Sequence, residues 1–269
     1  KVRLDYKVPV YRLFATIEEQ NNWFLASDKV GLSSYIKPEI HQIENKSIKS
    51  DFGFGKVLHT GRIDTKALIT SFKKVLHDNN QLVETSFNYD AIQFNQDNIT
   101  YNNIDVKHIV FAEGFGLKKN PFFKHLPLKE TKGELLIIYA PKLNIDFVLK
   151  SSVFLIPLGA HKYIVGATYE WHDKSNNTTE AAKIELLNKL KIFINCDFQV
   201  VDQVAGIRPT VIDRRPLVGQ HNKYKQLNVL NGLGTRGVMI APYVAKRLYN
   251  LIENGIEIDS EINITRFNN

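Results

Sequence analysis

Cysteine is almost absent from this 269-residue sequence, which contains one, Cys196. A single cysteine excludes an internal disulfide and a cysteine-rich metal site, and it favours a reducing compartment, so we expect a cytoplasmic protein. The sequence also lacks an apolar run of the roughly 18 residues that a membrane span needs. The first residues alternate basic and apolar types, which is not the pattern of a secretory signal. We therefore expect no membrane partner.

Motifs for metal and hydrolase chemistry are missing as well. None of the eight histidines lies three or four positions from another, and no GxSxG, Walker loop or HExxH occurs. We therefore expect neither a metal site nor serine-hydrolase catalysis. Hydrophobic residues make up 43% of the chain and charged residues 23%, which is typical of a folded globular protein and excludes a disordered one.

The net charge of the chain is +7, from 35 basic and 28 acidic residues. Such an excess can accompany nucleic-acid binding, but lysines scattered over a solvated surface give the same sum. The densest basic segment, residues 116–133, interleaves lysines with Phe122 and Phe123, which is the composition of a single-strand nucleic-acid surface. We favour the alternative that this segment is a lysine-rich loop whose phenylalanines pack inward.

Three segments have the periodicity of amphipathic helices. The first begins after Asp64 and the second after Asn177 or a neighbouring threonine, all of them good N-cap residues. The third runs from Val238 to a stop at Gly255 and has Pro242 in its first turn. Runs rich in β-branched and aromatic residues predict strands at 81–89, 107–112, 134–140, 146–152, 153–157 and 162–170. This irregular order predicts an α/β protein of mixed α+β character with a large mixed or antiparallel sheet.

The sharpest local pattern is Gly232-x-Gly234-x-x-Gly237, which follows a predicted strand, Leu227–Asn231, and leads directly into the third helix. Glycines allow close backbone approach, and a helix N-terminus offers unpaired N–H groups to an electron-rich ligand. An ADP-binding turn would also need a second parallel strand and an acidic residue about 20 positions further on, which are lacking here. A ligand-facing turn of another kind fits better, and a turn that only caps a packed helix is the alternative.

Arginine is concentrated close to this glycine pattern. Four arginines lie in one short stretch: Arg208, Arg214, Arg215 and Arg236. Because the planar fork of arginine matches a carboxylate or a phosphate, the cluster suggests a site for a small anionic molecule. Of the four arginines, Arg208 is the best candidate to bind such a molecule. Arg214 and Arg215 are expected to pair with Asp202 or Asp213 on the surface.

Four sequence blocks, in this order, resemble the D-amino-acid oxidase superfamily of FAD-dependent oxidoreductases: TKGELLIIYAP, FLIPLGAHKYIVGATYEW, AGIRPTVIDRRPLVG and GLGTRGVMIAPYVAKRL. Upstream, GKVLHTGRIDTKALITSFKKVL and IVFAEGFG are similar to further family segments. The resemblance covers about residues 55–255 and is closest to glycine oxidase-like members and to the oxidase half of a bifunctional tRNA-modifying enzyme. The family also has an N-terminal ADP-binding βαβ unit, so we expect this chain to be a member that lacks its first segment.

The resemblance implies an FAD-binding Rossmann-like domain, incomplete here, and a substrate domain with a large sheet. It places the substrate domain in residues 1–50 and 119–200, and the FAD-binding domain in residues 51–118 and 201–269. Gly114 would approach the cofactor, and Phe87 or Asn88 would lie near its adenine edge. The pyrimidine side of the flavin would be wrapped by Gly232, Leu233, Gly234, Thr235, Arg236, Gly237, Val238 and Met239.

The resemblance further implies two catalytic residues. Arg208 would clamp the substrate carboxylate, and Phe154 stands where some family oxidases have a substrate-contacting tyrosine. The implied reaction is hydride transfer from the carbon next to an amine to flavin N5, followed by hydrolysis of the imine and reoxidation by oxygen. The first hypothesis is a small amino acid or secondary amine as substrate. The second is a carboxymethylaminomethyl-uridine in tRNA, and the third is a non-catalytic basic binding protein without FAD.

Overall fold

The computed structural model describes residues 4–96 and 98–267, and the chain divides into two compact units. Unit 1 comprises Gly133–Tyr169, Asn176–Gly206 and the chain up to Leu82. Unit 2 comprises Val83–Lys132, Glu170–Ser175 and the chain from Ile207 onward. Each unit is therefore assembled from segments that are distant in the sequence.

The predicted domain boundaries differ from the unit boundaries at two long segments. Residues 51–82, expected in the FAD-binding domain, belong to unit 1, and residues 119–132, expected in the substrate domain, belong to unit 2. Which unit carries which function stays a prediction.

The described residues form four α-helices and fifteen strands. The helices are α1 (Ile17–Ser27), α2 (Thr65–Asp78), α3 (Glu180–Lys191) and α4 (Gly237–Asn254). The strands are β1 (Asp5–Tyr6), β2 (Val10–Leu13), β3 (Phe54–Val57), β4 (Arg62–Ile63), β5 (Ile92–Phe94), β6 (Ile99–Tyr101), β7 (Ile104–Val106), β8 (Ile109–Phe111), β9 (Leu128–Tyr139), β10 (Val148–Lys150), β11 (Phe154–Gly159), β12 (Lys162–Gly166), β13 (Gln199–Val211), β14 (Leu217–Gln220) and β15 (Leu227–Asn231). The predicted mixed α/β class is confirmed.

Unit 1 is built on a seven-stranded mixed sheet with the strand order β13-β9-β12-β11-β10-β2-β3. β2 runs parallel to β10 and antiparallel to β3. Helix α3 buries Ala182, Leu186 and Leu190, and the last two share a hydrophobic core with the sheet. Thr179 caps this helix by accepting a hydrogen bond from the N–H of Ala182 at 3.2 Å. The second predicted helix and its threonine cap are thus confirmed.

Helix α2 begins where the sequence predicts, because Asp64 accepts a hydrogen bond from the N–H of Ala67 at 2.9 Å. Within the described residues, however, no side chain of α2 is buried. Ile69 and Phe72 on its apolar side expose 67% and 60% of their surface. The periodicity therefore predicts the helix correctly and does not tell whether its apolar face is covered.

Unit 2 contains a three-stranded sheet with the order β14-β15-β8 and a second one with the order β5-β6-β7. β15 is antiparallel to β14 and parallel to β8, with Leu227 opposite Ile109 and Val229 opposite Phe111. Val244 of α4 joins a core cluster with Val218 of the sheet. Strand β15 confirms the prediction for Leu227–Asn231, and its parallel pairing puts the carboxyl ends of β8 and β15 at one edge of the sheet.

Two predictions about local structure were wrong. Residues 81–89 do not form a strand, because Asn88 accepts a hydrogen bond from the N–H of Asp90 at 3.1 Å and so starts a 3₁₀ turn at Tyr89–Ala91. Pro242 is not in the first turn of α4 but is its sixth residue, since the helix begins at Gly237. Its missing N–H removes one hydrogen bond from the second turn of the helix.

A fully buried lysine fixes a short segment of unit 2. Lys132 has no exposed surface, and its Nζ donates a hydrogen bond to Oδ2 of Asp173 at 2.5 Å. The backbones of Lys132 and Glu170 exchange two hydrogen bonds of 2.9 Å. The hydrogen bond from Lys132 lowers the pKa of Asp173 to about 2. The carboxylate of Asp173 therefore stays ionised in the folded protein well into the acid range.

We expect Asp173→Asn to destabilise the protein at neutral pH, because it removes the carboxylate that faces a buried ammonium group. An unfolded aspartate titrates near about pH 3.9. Because folding lowers the pKa of Asp173 to about 2, the stabilisation is complete above the unfolded value and is lost as the pH falls toward the folded one. Urea unfolding should show a deficit for the variant near neutral pH that shrinks below about pH 4.

The matched control is Asp197→Asn, because Asp197 is an exposed partner of Lys142 at 3.1 Å. An exposed pair of this kind contributes little, so the control should unfold like the unchanged protein. A deficit for Asp173→Asn that stays constant on acidification would contradict the assignment.

Candidate cofactor-binding site

Two glycine-containing turns leave the same edge of the β14-β15-β8 sheet. Strand β8 leads into Gly114, and β15 leads into Gly232 and Gly234. Both turns continue as 3₁₀ turns, at Gly114–Lys119 and Gly234–Arg236. Because β8 and β15 are parallel, both turns follow carboxyl ends of strands, which is where open α/β sheets bind their ligands.

The glycines of the two turns have different roles. Gly114 and Gly234 have left-handed φ values of 59° and 55°. Among the described residues, a Cβ added at Gly114 would meet nothing within 4 Å, and one added at Gly234 would meet only Thr210 Oγ1, at 4.0 Å. A Cβ added at Gly232 would lie 2.4 Å from Cγ2 of Val211. Gly114 and Gly234 thus face open space, whereas Gly232 is required by internal packing.

The N-terminus of α4 begins directly after the second turn, at Gly237. Its first turn contains no acidic residue, and in the described part of the chain no side chain caps it. The first N–H groups of a helix lack partners within the helix, and its dipole places positive partial charge there. Val238 and Met239 expose 53% and 71% of their surface, so this end of the helix is accessible. It can stabilise a ligand that carries negative charge.

Arg208 lies on the part of β13 that belongs to unit 2 and is half-buried. Alternate residues of a strand share a face, so Arg208 and Thr210 lie on the same side of β13. The hydroxyl of Thr210 is the atom that an added Cβ at Gly234 would approach. Val211, on the opposite face of β13, lies beside Gly232, so it is the end of β13 that meets the second glycine turn, and Arg208 lies two residues before Thr210 on that strand.

A polar network that the sequence patterns do not predict anchors the first turn. Glu113 accepts hydrogen bonds from the hydroxyl of Tyr89 and from Nδ2 of Asn120, the latter at 2.8 Å. Asn120 is fully buried. Burial and the hydrogen bond to Glu113 raise the pKa of Tyr89 to about 12, so its phenol stays protonated at neutral pH and does not serve as a general base. In the sequence, the signal that could have indicated this network is an acidic residue, Glu113, directly before Gly114.

Comparison with known proteins identifies the family. A family profile described as "FAD dependent oxidoreductase" (DAO) matches residues 4–251. The chain belongs to this family. By its description this is a family of FAD-dependent oxidoreductases, so the family predicted from the sequence resemblance is confirmed.

Individual relatives agree with the family. The tRNA 5-methylaminomethyl-2-thiouridine biosynthesis bifunctional protein MnmC of Nitrosospira multiformis is 28% identical over 156 residues, which are 52% of this chain and 25% of that protein. Glycine oxidase of Bacillus subtilis is 25% identical over 154 residues, 55% of this chain and 41% of that protein. The matched segments thus span less than half of either relative.

Solved structures show the same fold at low sequence identity. The crystal structure of iminodiacetate oxidase from Chelativorans sp. superposes with a TM-score of 0.78 at 16% identity and covers 98% of this chain and 78% of that one. Glycine oxidase from Geobacillus kaustophilus gives a TM-score of 0.76 at 15% identity, with 97% and 75% covered. The flavoenzyme fold thus extends over nearly the whole chain.

The site geometry fits a flavin ring. The open turns at Gly114 and Gly234 let a ligand approach the backbone closely. The uncapped start of α4 suits the negative charge that a flavin gains on its pyrimidine side when it is reduced. Of the residues expected around the flavin, the structure describes Thr235, Arg236, Val238 and Met239 as exposed, Leu233 and Gly237 as half-buried, and Gly232 as buried. Their individual contacts with FAD stay predictions.

The residues expected near the adenine edge also belong to unit 2, where local contacts engage them. Phe87 stacks on Tyr101 with 4.4 Å between the ring centroids and is 38% exposed. Asn88 caps the 3₁₀ turn that begins at Tyr89. Their contact with the cofactor stays a prediction.

Phe154, the second predicted catalytic residue, belongs to unit 1, whereas Arg208 belongs to unit 2. Phe154 lies on β11 opposite Gly166 of β12, and Nζ of Lys150 lies 5.8 Å from the centre of its ring. A Cβ added at Gly166 would lie 2.8 Å from this ring. The structure thus gives Phe154 a packing partner in its own unit, and its role beside the substrate stays a prediction.

The surface pairs expected for the clustered arginines differ from those observed. Arg215 pairs with Glu261 at 2.7 Å, and Asp213 is held by Arg266 at 2.8 Å. The expected kind of contact is confirmed for Arg215, but the expected partner was wrong. The reason is that the segment after α4 brings Glu261 and Arg266 beside this turn, and the spacing within 205–219 does not reveal it.

The basic segment 116–133 is a loop only in its middle, because it begins within the 3₁₀ turn Gly114–Lys119 and ends within β9 (Leu128–Tyr139), but its phenylalanines pack inward, as we favoured. Phe123 is fully buried, and Phe122 packs against the same hydrophobic core. Lys132 is buried as well. The segment therefore does not present stacked aromatic rings to a nucleic acid.

Two further features concern the described residues as a whole. Of the helices in residues 4–96 and 98–267, none is long and apolar enough to cross a membrane. Over the same residues, no group of three or more His, Cys, Asp or Glu side chains is arranged to hold a metal ion. The cysteine, Cys196, is half-buried.

Alanine substitutions should separate the packing glycine from the open one. Gly232→Ala should lower the free energy of unfolding by about 3 kcal/mol, from overpacking against Val211 and from the left-handed backbone. Gly234→Ala meets no close atom, so its cost should stay near the backbone strain alone, roughly 1–2 kcal/mol. Its methyl group enters the open space, however, and should weaken FAD binding about tenfold or more.

Urea unfolding and FAD titration of both variants check this pair of expectations. If Gly234→Ala binds FAD as tightly as the unchanged protein does, the open space beside that turn is not the cofactor's.

Proposed function

We propose that this flavoenzyme oxidises a small amino acid or secondary amine that carries a carboxylate. The observation that carries the proposal is the position of Arg208 on β13, shortly before the residues of that strand that meet the glycine turn assigned to the flavin. A guanidinium group binds a carboxylate through two parallel hydrogen bonds, which anchors and orients the substrate. The names of similar proteins add support, because glycine and iminodiacetate are both amines with carboxylates. A cytoplasmic location, expected from the scarcity of cysteine, belongs to the same proposal.

When held at the two glycine turns, FAD would supply the hydride-accepting chemistry by which the amine becomes an imine, and water would then hydrolyse the imine. Arg208 holds the carboxylate so that this carbon has one orientation. The N–H groups at the start of α4 stabilise the negative charge that develops beside them. Val238 and Met239 are apolar and accessible, so they can shield the reacting region from water. No general base is needed when the amine binds deprotonated, and oxygen is the expected final electron acceptor.

A second candidate substrate is the carboxymethylaminomethyl-uridine of tRNA. It is favoured by the 28% identity to MnmC, which is named for a step in tRNA thiouridine biosynthesis. The modified base ends in the same glycine-like group, so Arg208 would bind it in the same way. The inward packing of Phe123 argues against the 116–133 loop as the RNA surface, and we therefore place this candidate second.

The experiment that tests the function is FAD reconstitution of the purified protein followed by oxygen uptake with glycine, N-methylglycine, iminodiacetate and modified tRNA. We expect a yellow protein that turns over the small amines. Turnover of tRNA alone, with binding that weakens steeply with salt, would favour the second candidate. A colourless protein that FAD does not reconstitute would overturn both and leave a basic binding protein without FAD.

Arg208→Ala should raise KM for carboxylate substrates by about tenfold to a hundredfold, because a hydrogen-bonded charged group contributes about 1.5–3 kcal/mol. Arg208→Lys should recover only part of this, since an ammonium group lacks the planar fork. The matched control is Arg215→Ala, because Arg215 pairs with Glu261 on the surface and should not affect KM. Steady-state kinetics of the three variants decide the matter, and an unchanged KM in Arg208→Ala would remove its proposed role.

A further inference from the structure

We infer that Asn231 is a positioning residue that clamps the two glycine turns of the cofactor site to each other. Asn231 is the last residue of β15 and is 2% exposed. Its Nδ2 donates a hydrogen bond to the carbonyl oxygen of Gly114 at 2.9 Å. Its Oδ1 accepts a hydrogen bond from the N–H of Gly232 at 2.7 Å. One buried amide therefore binds the backbone of both turns.

The clamp lies where the backbone pairing of the two strands ends. The parallel ladder between β15 and β8 is described as far as Val229 and Phe111. Continued in the same register, it would bring Asn231 opposite Glu113. There the chain turns away at Gly114 and at Gly232, both with left-handed φ values. Backbone groups that leave a ladder inside a protein need other partners, and the Asn231 side chain supplies them to both strands.

The chemistry of the clamp requires an amide at this position. An asparagine side chain donates through nitrogen and accepts through oxygen, and both functions are used here. An aspartate has the same shape but no donor, and it would direct an anionic oxygen at the Gly114 carbonyl. An alanine would leave a carbonyl oxygen and an N–H group without these partners in a buried region. Neither replacement preserves the link between the strands.

The clamp sets the distance between two backbone segments that we assign to the same ligand. If Gly114 and Gly234 both approach FAD, losing the clamp lets one turn move relative to the other and weakens binding. This consequence rests on the flavin assignment of the two turns. The link between the turns does not rest on it, and the two can be tested separately.

The chain offers a matched control in Asn228. It lies on the same strand, has no exposed surface, and donates from Nδ2 to the carbonyl oxygen of Gln226 at 3.3 Å, at the opposite end of β15. Asn228→Ala and Asn228→Asp therefore make the same chemical change in the same buried strand, away from both turns. They report the general cost of altering a buried amide of β15.

The first measurement is hydrogen exchange of the full chain without added FAD. Asn231→Ala should speed exchange in a peptide that covers residues 112–118, on the other strand, by about fivefold or more, since a hydrogen bond contributes about 1 kcal/mol. In Asn228→Ala, the exchange rate of that peptide should keep the same ratio to the exchange rates of peptides from β6 as in the unchanged protein. Unchanged exchange around Gly114 in Asn231→Ala would overturn the clamp.

The second measurement is the Kd for FAD with the position of the flavin absorbance bands. Asn231→Ala and Asn231→Asp should both raise Kd about tenfold or more and shift the bands. The alanine variant loses both hydrogen bonds of the side chain, and the aspartate variant loses the one that Nδ2 donates. The Asn228 variants should stay within about threefold. Equal affinity in all four variants would overturn the role of the clamp toward the cofactor. A failure of the unchanged protein to bind FAD would instead overturn the proposed function, and the exchange experiment would still decide the clamp.

Discussion

The candidate site depends on the parallel pairing of β8 with β15. Parallel strands bring their carboxyl ends to the same edge, so two turns separated by more than a hundred residues leave the sheet side by side. An antiparallel pairing would send them to opposite edges. The uncapped helix start and the open glycines would then have no common ligand, because each would face a different end of the sheet.

The local sequence pattern correctly predicted the part of the site that is contiguous in the chain. One stretch contains the strand Leu227–Asn231, the glycine turn, helix α4 and its stop at Gly255, which has a left-handed φ of 65°. These elements follow from local rules of backbone conformation and capping. The four resembling blocks also predicted the family correctly, because their order and spacing are far more specific than any one motif.

The rest of the site depends on contacts that a single sequence does not encode locally. Asn231 reads as an ordinary polar residue in a strand, and its role is visible only once β8 lies beside it. β13 was not predicted as a strand because Pro209 and polar residues interrupt its pattern, yet β9 pairs with it. The glycine spacing likewise did not distinguish Gly232, which packs on Val211, from Gly234, which faces open space.

The uncapped start of α4 has a consequence for the stability of the protein. The first N–H groups of an uncapped helix gain hydrogen bonds when a ligand binds to them, so binding adds to the stability of the fold. A cofactor that supplies the missing cap raises the free energy of unfolding with the logarithm of one plus its free concentration divided by its Kd. If FAD binds at the start of α4, as proposed, the stability of this protein should therefore follow the supply of that cofactor.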